Sequence, residues 1–90
     1  MKQNIEQLLN NFHTAEDKQK KLEIGYELLD KKIQNGHYED ARKYGLETLE
    51  IATELENKDL MIKILTEIGK SFVMQGEYQN LLNFLKEHFT

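Results

Sequence analysis

Apolar positions along the chain recur every three to four residues rather than every second one, a spacing that predicts helices from end to end. Ile5, Leu8, Leu9 and Phe12 make the first apolar stripe, and Leu22, Tyr26, Leu29 and Ile33 the second. Tyr38, Ala41, Gly45, Leu49 and Ala52 make the third, and Met61, Ile64, Leu65, Ile68 and Phe72 the fourth. Tyr78, Leu81, Leu82, Leu85 and Phe89 form a last stripe that is apolar around much of the helix. Five helices are therefore expected, at about 3 to 13, 15 to 34, 38 to 55, 58 to 75 and 78 to 89. Thr14 and Asp17 have the spacing of a capping box that would start the second helix, and Asn57 is placed to cap the fourth. Gly36 and Gly76 follow the second and fourth stripes, where a left-handed residue closes a helix and glycine adopts it without strain.

A shift of forty residues lays Asn35-Gly36-His37-Tyr38-Glu39-Asp40 over Gln75-Gly76-Glu77-Tyr78-Gln79-Asn80. The register extends back through Ile24 and Ile64 and forward through Tyr44 and Phe84. Only seven of the thirty-seven aligned pairs from Thr14 to Glu50 are identical, so the repeat rests on pattern and on the shared Gly-x-Tyr. Each unit reads as helix, short turn, helix, and so brief a turn folds the pair antiparallel. The expected organisation is one all-α domain: a lone helix over 1–13, a first repeat over 14–53 and a second over 54–90.

Composition narrows the function. The 90 residues contain no cysteine, which excludes disulfides, a thiolate nucleophile and Cys-ligated metal and fits a cytoplasmic location. Net charge is -4, and Lys18, Lys20, Lys21, Lys31, Lys32, Arg42 and Lys43 lie in a half whose acids balance them, so no basic nucleic-acid face is expected. No apolar run approaches membrane-spanning length. Ser71, the single serine, sits mid-helix without a base beside it, and His13, His37 and His88 stand near separate helix ends without metal-ligand spacing. Glycine-rich phosphate loops are absent. The expectation is a chain that is not an enzyme and takes no cofactor or metal.

The helix pair with a Gly-x-Tyr turn resembles the tetratricopeptide repeat, in a longer-helix variety of about forty residues per unit. Leu65, Ile68, Gly69, Phe72, Gly76, Tyr78 and Leu85 match that family's pattern in the second unit, and Gly36, Tyr38 and Ala41 in the first. Leu29, Lys32 and Leu81 depart from it, standing where a small residue, an aromatic and an alanine are usual. The resemblance implies a right-handed α-solenoid of antiparallel helix pairs, whose first helices line a groove for a peptide or helix. Carried over by position, that groove holds Glu23, Tyr26, Asp30, Ile33 and Gln34 from the first unit, and Lys63, Thr66, Lys70, Val73 and Met74 from the second. Lys63 and Lys70 would hold an acidic group, with Tyr26 and Met74 offering adaptable apolar contact.

The same resemblance implies a noncatalytic protein-interaction module. Two alternatives stand beside it. One is the N-terminal regulatory or sensor region of a larger bacterial signalling protein, such as a transcription regulator, a peptide receptor or a cyclic-nucleotide signalling enzyme. The other is a homodimerisation module that self-associates through Leu82, Leu85 and Phe89 of the final helix.

Overall fold

The computed structural model describes residues 4–89, without the side chain of Phe89. Among these residues it contains five α-helices and no strand: α1 (Ile5–Thr14), α2 (Lys18–Gln34), α3 (Tyr38–Glu54), α4 (Lys58–Met74) and α5 (Tyr78–Phe89). The expected start of the first helix at position 3 lies outside the described residues. The first turn of α1 is held by an unforeseen capping box. The Gln7 backbone N–H donates to Asn4 Oδ1 at 2.8 Å and the Asn4 N–H to Gln7 Oε1 at 3.2 Å.

The expected Thr14–Asp17 box does not form. Thr14 ends α1 and turns its hydroxyl back to the Asn10 carbonyl at 2.9 Å, while Asp17 alone caps α2 by accepting from the Gln19 N–H at 3.2 Å. A threonine hydroxyl within reach of the preceding turn takes that local acceptor, so the spacing alone did not decide. Asn57 caps α4 as expected, accepting from the Leu60 N–H at 3.1 Å.

Helices α2, α3 and α4 each run 17 residues, and α2 to α5 begin at 18, 38, 58 and 78. Beneath the forty-residue repeat lies a twenty-residue rhythm, set by one turn used three times. After α2, Gly36 N–H donates to the Ile33 carbonyl at 3.0 Å and His37 N–H to Lys32 at 2.9 Å. After α4, Gly76 donates to Val73 at 3.0 Å and Glu77 to Phe72 at 2.9 Å. After α3 the same pair joins Glu56 to Thr53 at 3.1 Å and Asn57 to Ala52 at 3.0 Å. These are Schellman closures, and each needs a left-handed residue. Gly36 and Gly76 supply it at φ 79 and 71, whereas Glu56 does so with a side chain, at φ 55.

Helix α2 packs on α1, α3 and α4, and α4 packs on α3 and α5, so α2 and α4 lie side by side within a body 17 Å thin. The main core joins Leu22, Leu29, Ile33, Ala41, Leu49, Ala52, Ile64, Ile68 and Phe84. A second cluster of Leu8, Phe12 and Leu28 seats α1, with Phe12 edge-on to Tyr44 of α3 at 6.0 Å. Gly25 lets α1, α2 and α3 converge: a β-carbon there would stand 2.3 Å from Thr48 Oγ1 and 2.8 Å from the Phe12 ring.

The departures from the tetratricopeptide pattern are matched by compensating changes. Lys32 is buried, reaches Asp40 at 3.1 Å and lies 5.7 Å from the Tyr44 ring centre, standing where the second unit pairs Phe72 with Phe84 at 5.8 Å. Leu29 is accommodated by Gly45, whose added β-carbon would meet Leu29 at 3.2 Å and Ile68 at 3.0 Å. In the second unit Gly69 takes the Leu29 position on α4, and a β-carbon there would meet Leu81 of α5 at 3.5 Å, so the leucine at the usual alanine position fills that space.

Candidate functional site

The adjacency of α2 and α4 brings residues from the two expected groove rows together. Tyr26 is half-buried on α2, and its hydroxyl pKa is raised above 10.0, first by burial, then by the charges of Glu67 and of Asp30. Tyr26, Asp30 and Glu67 therefore share one neighbourhood across the two helices. Asp30 accepts from Gln34 Nε2 at 2.9 Å. Glu67 Oε2 is withdrawn from solvent and has no hydrogen-bond partner. A carboxylate oxygen removed from water without a donor is costly, and a donor brought by a ligand would satisfy it.

Along α4, Lys63, Thr66, Lys70, Val73 and Met74 are exposed, Met74 by 53%. Glu23 is exposed on α2. Thr66 spends its hydroxyl on the Ile62 carbonyl at 2.8 Å, within its own helix. Ile33 departs from its expected place in the groove: it is 3% exposed and belongs to the core. It lies seven residues from Tyr26, but also four from Leu29 and eleven from Leu22, and the buried stripe claims it.

The expected self-association residues fall on α5. Leu82 is 51% and Leu85 36% exposed, while the Phe89 side chain lies outside the described residues. Phe84 is turned inward onto Phe72, so one apolar face of this helix is buried and the other exposed.

Sequence reasoning aligned Glu67 with Glu27, at the positions where the tetratricopeptide family's clamp for chaperone tails has asparagines, but left both out of the expected groove rows. It also missed an open cleft of about 510 Å³ between the end of α1 and the start of α2, lined by Asn11, Thr14, Ala15, Lys20, Glu23, Ile24 and Glu27. Glu23, expected in the groove, lines this cleft. Nothing in the periodicity fixes where α1 lies along α2, so no sequence signal would have located it.

Ser71 is buried, donates to the Ile68 carbonyl at 2.6 Å and accepts from Arg42 Nη1 at 3.0 Å. Among the described residues no group of three or more His, Asp or Glu is placed to hold a metal ion. No helix there is long and apolar enough to cross a membrane. No protein-family model matches the chain, and neither a curated protein nor a solved structure gives a significant match.

Proposed function

We propose that the chain is a noncatalytic protein-interaction module, a tetratricopeptide-like right-handed solenoid that seats a peptide or helix along α2 and α4. The repeated Schellman turn and the side-by-side placement of α2 and α4 support the solenoid reading. The observation that carries the binding reading is the Tyr26–Asp30–Glu67 strip, where Glu67 Oε2 is buried without a donor. A bound segment supplies that donor from a backbone N–H or a basic side chain. Exposed Lys63 and Lys70 on α4 meet its acidic groups, and Met74 its apolar ones.

The test is a peptide array probed with the 90-residue chain, followed by titration of the selected peptides against variants. Lys70→Glu weakens the acidic peptides about two- to fivefold, the range of an exposed ion pair, with helicity unchanged in circular dichroism. Glu67→Leu, which removes the acceptor at similar volume, weakens binding by about tenfold or more. Selected peptides indifferent to both substitutions would remove the groove assignment.

A further inference from the structure

The two ends of the molecule are unlike. The outward side of α1 is polar, with Glu6, Gln7, Asn10 and His13 exposed. At the other end, α5 exposes Tyr78 by 62%, Leu82 by 51% and Leu85 by 36%, spaced as one stripe, and neighbouring α4 exposes Ile62 by 63%.

The forty-residue repeat shows what this stripe is built to receive. Tyr78, Leu82 and Leu85 are the counterparts of Tyr38, Arg42 and Gly45 on α3, and α4 covers that face of α3. Arg42 stacks on Phe72 at 4.2 Å, bonds Ser71 and reaches Glu77 at 3.5 Å, while Gly45 meets Ile68. On α5 the same row of positions has no helix over it among the described residues. Its chemistry has also changed: Leu82 replaces the ion-pairing Arg42, and Leu85 replaces the glycine that let α4 approach closely. The α5 stripe is thus a helix-docking face made apolar and proud.

The geometry points to a second copy of this chain as its occupant, packed tail to tail about a twofold axis through the α5 stripes. Three features favour that occupant. Tyr78 through Leu85 contains no charged residue, so two copies of a chain of net charge -4 meet there without opposing like charges. The polar outer face of α1 offers nothing for this apolar end to bury, which disfavours head-to-tail growth and leaves a closed, self-complementary contact. The end face, α4 beside α5, measures about 25 by 20 Å, a footprint of about 500 Å², which suits the weak, reversible end of specific interfaces, below the ~800 Å² per partner of a standard one. Leu85 stands where Gly45 lets Ile68 approach, so leucines interdigitating across a twofold fit better than another helix seated at α4's distance.

Sedimentation velocity of the 90-residue chain over a dilution series, from micromolar to submillimolar, tests the proposal. The expected result is a reversible monomer–dimer equilibrium with a limiting mass of twice 10.7 kDa. Each substitution occurs twice in such a contact, so a tenfold loss per side makes Leu82→Asp raise the dissociation constant about a hundredfold. Tyr78→Lys has a similar effect, and both variants keep wild-type helicity because the side chains are half exposed. Leu46→Asp, on an exposed position of α3 off this face, leaves the equilibrium unchanged. A monomer at every concentration overturns the proposal, as does a dimer insensitive to Leu82→Asp and Tyr78→Lys. Mass that climbs past the dimer overturns the twofold arrangement. None of these outcomes bears on the groove, which Lys70→Glu and Glu67→Leu test separately.

Discussion

The three Schellman turns form an internal experiment, because one backbone conformation is occupied twice by glycine and once by glutamate. At Gly36 an added β-carbon meets nothing within 4 Å, so Gly36→Ala isolates the conformational cost at φ 79 from any clash. A left-handed residue with a β-carbon is disfavoured by about 1–2 kcal/mol. Alanine recovers part of this by restricting the unfolded chain, by about 0.4–1 kcal/mol. The net expectation is a loss of roughly 1 kcal/mol for Gly36→Ala, and at most the same for Gly76→Ala, whose turn adjoins the less enclosed α5. Glu56, at φ 55, already bears the strain, and its side chain is exposed. Glu56→Gly therefore stabilises the fold by about 0.5–1 kcal/mol. For a domain of this size, 1 kcal/mol shifts Tm by about 4–8 °C, well within the resolution of a thermal melt followed by circular dichroism. Opposite signs at positions 36 and 56 are the diagnostic result. A Glu56→Gly variant that melts lower than wild type, or a neutral Gly36→Ala, would refute the reading that one left-handed turn paces the chain every twenty residues.

Two further predictions concern the interior and the groove. Gly25→Ala places a β-carbon 2.3 Å from Thr48 Oγ1, itself fixed by a 2.7 Å bond to the Tyr44 carbonyl. Overpacking of about 1–3 kcal/mol should exceed the ~1 kcal/mol that alanine gains in helix propensity, so Tm falls, and adding Thr48→Ala restores part of the loss; a higher Tm for Gly25→Ala alone would count against the close approach. Tyr26 has a folded pKa above its unfolded value of 10.0, so the folded state holds the proton longer and stability declines as pH rises through and beyond that value. Tyr26→Phe should lessen that alkaline decline in melts above pH 10, and absorbance titration should lose a tyrosine that ionises above 10.0; an unaltered titration curve would place Tyr26 outside the acidic strip.

Helix number and limits were readable because Gly36, Gly76 and Asn57 act through local chemistry: a left-handed closure or a cap depends on a few neighbouring residues. The turn at Glu56 was invisible in its conformation, since glutamate carries no sign of positive φ, and the tertiary fold imposes it. Thr14 misled for a related reason: its hydroxyl can accept from a following N–H as a cap or donate to the Asn10 carbonyl behind it, and it does the second. Groove and core were separable only in part. Helical spacing assigns a residue to a face about as wide as a stripe, and Ile33 fits both the exposed row of Tyr26 and the buried row of Leu22 and Leu29. The convergence of Phe12, Gly25 and Thr48 joins three helices, and a single sequence has no periodicity that reports which helix faces which.

What the repeat conserves is the backbone frame, and what it exchanges is volume. Leu29 opposite Gly45 in the first pair becomes Gly69 and Leu85 in the second, and Lys32 over Tyr44 becomes Phe72 against Phe84. In the second pair it is Leu81 that meets Gly69, so that pair's interior stays filled while Leu85 is left 36% exposed. The outer consequence differs. With glycine on α3, the next helix approaches until Ile68 touches the backbone groove; with leucine on α5, that approach is closed and an apolar ridge remains. Equal lengths and equal turns keep the backbone frame, so the side chain at position 85 sets the chemistry of the outer face of α5.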